Sequence, residues 1–413
     1  MYFFYYVPVG INAELRRFPA MTAAYTLICV AVFVLVRYLP RLVDVDFDRL
    51  IYVPAEPELV TAVGAAFLHY GYLHLLGNVI YLVLFGRYVE DRMGPALFAV
   101  VFLSSAAIGN YLQGVFNIQI LDDSTLGIIG ASGAVSGLLG AFSVRFVRSK
   151  LRIAYWAFMP LQAYTRAGTA EVPAVLAIAL WFVLQIVRGL VQTGGGEAQV
   201  AHVTHIGGFL WGFLLAIIFG QYGQGKIESL LRRGHRYLQK GEPYAAQGAF
   251  IRYLTYCPQD GRVYASLARA MVFSGNEQGA QKSYRKACEM LLDQQQRGEC
   301  ESLFQEALRG YSGFVLGSDH HLNLAFGLER NLKPELAVSA YENFEERYPL
   351  HAEAPFALLR AAGLYLHMFS NPVKAGHCYQ RLIEKYPDDQ WFDFAREQIR
   401  QLGLPPDTSS AHS

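Results

Sequence analysis

Apolar residues are distributed unevenly along the chain. Residues 20–220 are dense in Leu, Val, Ile, Phe, Ala and Gly, whereas residues 225–413 carry most of the Lys, Glu, Asp and Gln. Six apolar stretches approach the roughly 20 residues that a helix needs to cross a bilayer. They are Ala20–Tyr38, Leu73–Val89, Pro95–Phe116, Leu126–Val144, Val172–Val191 and Val203–Gly220. The pattern predicts an all-α protein: a six-transmembrane-helix bundle followed by a soluble helical domain.

Basic residues near the ends of spans favour the cytoplasmic face. With six spans, one side of the membrane receives Arg16, Arg17, Arg87, Arg92, Arg145, Arg148, Lys150, Arg152, Arg166, Lys226, Arg232 and Arg233. The other side receives Arg37, Arg41, Arg49 and Arg188. We therefore expect an integral, multi-pass protein of a bacterial cytoplasmic membrane with both termini in the cytoplasm. The apolar segment Ile153–Tyr164 is too short to span and contains Pro160, so we expect an interfacial loop there.

Composition narrows the possible functions. The net charge is only +1, with no basic tract, which argues against a nucleic-acid partner. Five cysteines occur without a CxxC pair, so neither a metal site nor a cofactor is indicated.

Three polar clusters lie at the starts of spans 2, 4 and 6, which run in the same direction and so share one depth at the outer face. Each cluster alone has an ordinary explanation: small residues mark close helix packing, and a membrane His or Asn can bond a neighbouring helix. The clusters are HLLGN (His74, Asn78), GASG (Gly130, Ala131, Ser132, Gly133) and THIGG (His205).

Together the clusters supply the components of acyl transfer. Ser132 is a nucleophile that needs a base, and His205 is the imidazole best placed to act as one. His74 and Asn78 are four residues apart, on one helical face, where they can donate to a developing oxyanion. The spans contain no Asp or Glu to orient the histidine, so we predict a dyad.

Small residues support this arrangement. Gly208 and Gly212 are four apart and allow span 6 to approach span 4 backbone to backbone. Gly130 and Gly133 leave the Ser132 hydroxyl and the nearby N–H groups accessible.

Three ordered motifs, FLHYGYLHLLGN with FGRYVEDRMG, GASGAVSGLLGA and AHVTHIGGFLWG, resemble the rhomboid family of intramembrane serine proteases over residues 60–220. The resemblance implies that Ser132 is the nucleophile and His205 the base. It implies an oxyanion hole of His74, Asn78 and the Ser132 backbone N–H. It also implies transmembrane protein substrates, cut in a cavity open to the outer face.

Two features depart from this pattern. The first loop, Pro40 to Gly71, has no Trp-Arg pair of the kind found in some relatives. Residue 136 is Ser, where some relatives place an aromatic ring that stacks on the base. His202 does not fit the motif, and we expect it in a loop near the mouth of the cavity.

The C-terminal half contains internal similarity. Gly241, Ala246 and Phe250 recur 34 residues later as Gly275, Ala280 and Tyr284. Ala337, Tyr341 and Tyr348 recur 38 residues later as Ala375, Tyr379 and Tyr386. This resembles tetratricopeptide-like repeats, which usually bind a peptide or protein partner. Support for the membrane domain is an equally good interpretation.

The expected organisation is a cytoplasmic segment at 1–19, a six-span protease domain at 20–222, a helical-repeat domain at 226–404 and a disordered tail at 405–413. A catalytically silent scaffold that binds membrane proteins is the main alternative. A channel or transporter is disfavoured, because the polar residues gather at one level. A zinc protease using His69 and His74 is disfavoured by the lack of an HExxH motif.

Overall fold

The computed structural model describes residues 3–38, 47–159, 164–192 and 201–403, and it is mostly helical. The expected tail at 405–413 lies outside the described residues. The helices of the N-terminal half are α1 (Ala20–Tyr38), α2 (Leu59–Gly64), α3 (Tyr72–Tyr81), α4 (Arg87–Met93), α5 (Pro95–Ile120), α6 (Ser132–Arg145), α7 (Ala174–Gln192), α8 (His202–Ile218) and α9 (Gln221–Gln239). A π-helical segment, Leu82–Gly86, joins α3 to α4.

The C-terminal half consists of consecutive helices. They are α10 (Pro243–Leu254), α11 (Gly261–Phe273), α12 (Glu277–Asp293), α13 (Arg297–Gly310), α14 (Ser318–Arg330), α15 (Pro334–Arg347), α16 (Ala354–His367), α17 (Pro372–Lys385) and α18 (Phe392–Gln401). The chain divides into two compact units, Met1–Ser229 and Leu230–Ser413, with the boundary inside α9.

Three helical stretches in the described chain are long and apolar enough to cross a membrane: Ala20–Tyr38, Tyr72–Met93 and Pro95–Ile120. The helix α8 is long enough to cross a membrane only when it is counted together with α9, and a bend of 71° separates the two helices. The apolar part of α7, Ala174–Val187, is shorter. Length and composition alone therefore identify fewer spans than the six predicted from the sequence.

The helix α6 is the centre of the N-terminal unit. It has only 14 residues, and nearly all of them are buried, including Leu138, Ala141 and Phe142. A helix that is small or apolar on every side is expected in a core. The predicted span at Leu126–Val144 was six residues too long at its start, because the chain before Ser132 is a loop rather than helix.

Glycines bring α6 and α8 into backbone contact. A Cβ atom added to Gly208 would overlap the carbonyl oxygen of Gly133, and one added to Gly212 would overlap that of Gly137. On the side of α5, a Cβ on Gly109 would lie 2.7 Å from the carbonyl oxygen of Thr204. The separation of these helices is therefore set by the absence of side chains.

A three-stranded antiparallel sheet, which the sequence analysis missed, belongs to the N-terminal unit. Its strands are β1 (Phe3–Ile11), β2 (Lys150–Met159) and β3 (Tyr164–Pro173), in the order β1-β2-β3. The predicted interfacial loop at Ile153–Tyr164 was wrong, because most of that segment is the central strand. Its aromatic residues, Tyr155, Trp156 and Phe158, suit a strand once two partners complete its hydrogen bonds.

Buried carboxylates hold the chain that enters α1. The two carboxylate oxygens of Glu90 accept the N–H groups of Met21 and Thr22, each at 2.8 Å, in the first turn of α1. Oδ1 of Asp91 accepts the N–H groups of Arg16 and Arg17, also at 2.8 Å. Glu90 therefore satisfies donors that the start of a helix leaves without partners, and Asp91 holds the segment just before that helix.

In the C-terminal unit, the positions of the sequence repeat occupy matching environments. Gly241 and Gly275 both have positive φ, +72° and +77°, at the turns before α10 and α12. Ala246 and Ala280 are fully buried, and so are Ala337 and Ala375 in the second pair. Equivalent residues therefore play equivalent packing roles in alternate helices, α10 and α12 in the first pair and α15 and α17 in the second.

His321 on α14 is a fully buried imidazole in this unit. Its Nε2 donates to the carbonyl oxygen of Ala340 at 2.8 Å, and its Nδ1 accepts the N–H of Leu316 at 3.1 Å. Both contacts fit the neutral ring. Burial lowers the pKa of His321 to about 4.

We expect Gly212→Ala to lower the thermal stability of the N-terminal unit, because the added methyl group would overlap Gly137. Overpacking of this kind costs about 1 to 3 kcal/mol, so the unfolding midpoint should fall by on the order of 5 °C. Gly77→Ala on α3 is the matched control, since no atom lies within 4 Å of its Cβ position. Thermal unfolding of both variants in detergent tests this, and equal midpoints would contradict it.

We expect the C-terminal unit to lose stability as the pH falls from 7 to 5. The unfolded chain binds a proton at His321 near pH 6.5 and the folded chain only near 4, so protonation favours unfolding in this window. The loss attributable to His321 is about 2 kcal/mol. Hydrogen exchange of α14 and α15, corrected for the intrinsic pH dependence, measures it. His321→Gln should remove this contribution and His320→Gln should keep it; the same pH dependence in both variants would refute the assignment.

Candidate functional site

His74 and Asn78 lie one turn apart on α3 and reach the same point. The point is Gly130: a Cβ atom there would lie 2.7 Å from His74 Nε2 and 3.8 Å from Asn78 Nδ2. Asn78 is buried, and its Nδ2 has no hydrogen-bond partner within the described structure. A buried amide donor without a partner is costly, so the position of the Asn78 amide calls for an explanation.

The loop before α6 is held in place by backbone hydrogen bonds. The N–H of Gly130 donates to the carbonyl oxygen of Ala65 at 2.8 Å, and Ile128 pairs with Tyr52 in an isolated antiparallel bridge. Gly130 has φ of +121°, a conformation that is accessible to glycine and strained for other residues. This glycine therefore permits both the turn of the loop and the close approach of His74.

Ser132 is the first residue of α6, directly after Gly130 and Ala131. No side chain caps this helix at Ala131. The first N–H groups of a helix have no partner inside it, and they carry partial positive charge. The Ser132 side chain therefore lies at a helix end that favours negative charge.

His205 lies in the first turn of α8, and the close contact of α6 with α8 places it near Ser132. On Gly133, the residue after the serine, a Cβ atom would lie 2.6 Å from Cγ2 of Thr204, the residue before the histidine. Both Ser132 and His205 are partly exposed. Both residues lie in the part of the chain that the structure describes, and no hydrogen bond joins their side chains.

Gln185 on α7 is a buried residue of the site that the sequence analysis missed. Its Oε1 lies 2.9 Å from Nδ1 of His205 and 2.9 Å from Nδ1 of His202. The prediction that His202 is a loop residue was wrong, since it begins α8 and is buried. The sequence feature that could have revealed Gln185 is a polar amide within an otherwise apolar span, where polar groups often have a function.

An aromatic ring also lies beside His205. The ring of Trp181, one turn before Gln185 on α7, has its centroid 6.4 Å from that of His205. At position 136, by contrast, the Ser136 hydroxyl donates to the carbonyl oxygen of Ser132 at 2.7 Å. The side-chain neighbours of the histidine therefore come from α7 as well as α8.

Metal chemistry has no evident location in the described part of the chain. No cluster of three or more His, Cys, Asp or Glu side chains in these residues could hold an ion. The polar groups of the site are instead a hydroxyl, imidazoles and amides.

Comparison with known proteins gives a family match over the same residues. Residues 56–222 match the Rhomboid domain. RHOMBOID-like protein 1 of Arabidopsis thaliana is 28% identical over 159 residues, which cover 38% of this chain and 34% of that protein. Rhomboid protein 1, mitochondrial, of Saccharomyces cerevisiae is 30% identical over 123 residues, which cover 27% of this chain and 34% of that protein. Putative rhomboid protease YdcA of Bacillus subtilis is 39% identical over 75 residues, covering 18% of this chain and 35% of that protein.

The chain spans between about a third and a half of the length of the curated relatives that it matches. The match begins after the apolar helix α1 and includes α3, α6 and α8. The apolar helices and the family match together support an integral, multi-pass membrane protein. Residues 56–222 are thus similar to the Rhomboid domain and to rhomboid-like proteins of a plant and a yeast.

Proposed function

We propose that the N-terminal unit is an intramembrane serine endopeptidase that cleaves the transmembrane segments of other membrane proteins. The observation that carries the proposal is the unpartnered amide of Asn78, directed with His74 at the loop just before Ser132. A protease needs that donor when the oxyanion forms.

In this reaction His205 takes the Ser132 proton as the serine oxygen attacks the scissile carbonyl carbon. Charge then develops on the carbonyl oxygen, where His74, Asn78 and the Ser132 N–H donate to it. His205 returns the proton to the leaving amine, and an acyl-enzyme remains. Water, activated by His205, releases the acyl group. A serine–histidine bond missing from the free protein is compatible with this scheme, because catalytic hydrogen bonds often tighten only in the substrate complex.

The short α6 supports a site below the membrane surface. Fourteen helical residues extend about 21 Å, less than the roughly 30 Å of a bilayer core. Irregular backbone at membrane depth is tolerated where it is enclosed by protein or lines a water-filled cavity. The loop before Ser132 fits such a cavity, and the cavity would admit the water that deacylation needs. We propose six spans, formed by α1, α3 with α4, α5, α6, α7 and α8.

The orientation and partners follow from the same proposal. The charge pattern favours cytoplasmic termini and a site open to the outer face of a bacterial cytoplasmic membrane. The lipid bilayer and transmembrane substrates are then the partners of the N-terminal unit. We propose that residues 226–404, most of which belong to the C-terminal unit, form a tetratricopeptide-like domain that binds a peptide or protein partner or regulates cleavage.

We expect Ser132→Ala and His205→Ala to reduce cleavage by at least about 10³-fold, because each removes a group that reacts. The assay uses purified full-length protein in liposomes with a fluorogenic transmembrane peptide rich in small residues. Fluorophosphonate labelling of Ser132 runs in parallel. If Ser132 is labelled but the peptide is not cleaved, the serine is reactive and the assay has to be repeated with another substrate. Absence of both in the wild type, with membrane proteins still captured, would favour the catalytically silent scaffold.

We expect Asn78→Ala to lower kcat by about 10² to 10³-fold, because it removes one oxyanion donor. Asn110→Ala is the matched control. Asn110 is also a buried amide, and it donates to the carbonyl oxygen of Ala62 at 2.9 Å. The control should lose stability but keep kcat within about 3-fold. Equal kcat losses in both variants would show that Asn78 is structural.

A further inference from the structure

The contact between Gln185 and two histidines constrains the chemistry of the base; this inference rests on the proposed function. Gln185 Oε1 is 2.9 Å from Nδ1 of both His205 and His202. The two imidazole rings are perpendicular, with centroids 6.0 Å apart. One amide oxygen therefore serves two rings through its two lone pairs.

An amide oxygen can only accept hydrogen bonds. A ring nitrogen bonded to it must therefore carry the hydrogen. In a neutral imidazole one nitrogen donates and the other accepts, so a proton on Nδ1 leaves the lone pair on Nε2. The contact selects the tautomer in which Nε2 of His205 can receive the Ser132 proton.

We propose that Gln185 is a positioning residue that fixes His205 in its Nδ1–H tautomer and orients the ring, with His202 anchoring the same amide oxygen. An oxygen held by two N–H donors cannot rotate away from either ring without breaking a hydrogen bond. The amide takes the place of the carboxylate that orients histidine in a Ser-His-Asp site, and Asn has this place in Cys-His-Asn sites. The site is then a Ser-His pair with a neutral third member.

A neutral orienter suits this location. Gln185 is buried on an apolar helix, where an ionised carboxylate would carry a large desolvation cost. The amide keeps the accepting oxygen without that cost.

A purely structural role for Gln185 is disfavoured by a second anchor on α8. Oε1 of Gln113 on α5 accepts the N–H groups of Val203 and Thr204 at 3.0 and 3.2 Å. That contact holds the backbone of the first turn of α8, and the glycine contacts hold the helix against α6. Gln185, in contrast, bonds the rings. Removing its oxygen should therefore leave the helix in place and free the imidazole.

The first test reads the tautomer directly and does not depend on activity. The Ser132→Ala protein, with ¹⁵N-labelled histidine, is studied by NMR at mildly alkaline pH, and His205 is identified by its loss in Ser132→Ala/His205→Ala. We expect Nδ1 to be protonated and Nε2 to be unprotonated. Adding Gln185→Met, which keeps the length but removes the acceptor, should give a mixture or the Nε2–H form. Two results would overturn the proposal. One is an Nε2–H form of His205 in the protein that retains Gln185, and the other is an unchanged His205 tautomer after Gln185→Met.

The second test is kinetic. We expect Gln185→Met to lower kcat by on the order of 10²-fold with KM changed less than about 3-fold. Gln113→Met, the matched control, should lower thermal stability and leave the His205 tautomer unchanged.

These outcomes separate the two proposals. If the wild type cleaves and Gln185→Met has the same kcat, the positioning role is wrong and the protease stands. If the wild type cleaves nothing but the tautomer responds to Gln185 as expected, the protease proposal fails and the Gln185 contact stands. If Gln113→Met shifts the tautomer as much as Gln185→Met, Gln185 acts only by holding the helix.

Discussion

The backbone contact between α6 and α8 is the constraint on which the rest of the N-terminal unit depends. It exists because Gly133 and Gly137 face Gly208 and Gly212, and no side chain keeps the helices apart. Without a hydrophobic driving force between helices in lipid, such close packing is a main source of association. The contact also fixes the spacing at the N-terminal ends of both helices, where Ser132 and His205 lie.

The polar groups of the site come from four different parts of the chain. The helix α3 contributes His74 and Asn78, α6 begins at Ser132, α8 carries His205, and α7 contributes Gln185. Each rests on a rigid helix, and the single irregular segment among them, at Gly130, is fixed by its hydrogen bond to Ala65. Donors arranged in this way need little reorganisation when charge develops, which is the usual basis of electrostatic catalysis.

Sequence periodicity revealed those features that depend on neighbours along one helix. The spacing of His74 and Asn78 predicted a shared face, and the mostly helical fold followed from the apolar pattern. Long-range pairing left no comparable signal: β1 pairs with β2 across about 140 residues, so β2 resembled a loop. Gln185 was missed for a similar reason, because a lone amide acquires its meaning only from the two rings it meets. The short α6 was missed because apolar loop residues before Ser132 extended its pattern.

The hydrogen bonds of Glu90 to the start of α1, and of Asp91 to the segment before it, affect the order in which the protein folds during synthesis. Glu90 follows the N–H groups of Met21 and Thr22 by 69 and 68 residues. During synthesis α1 therefore emerges well before its cap, and its first turn must meet water or lipid head groups in the meantime. Only after α4 has been made can Glu90 and Asp91 close over this segment. The helix α1 thus reaches its final hydrogen bonding only after α4 has been made, and a ribosome-bound chain that ends before residue 90 should leave α1 free to shift in depth.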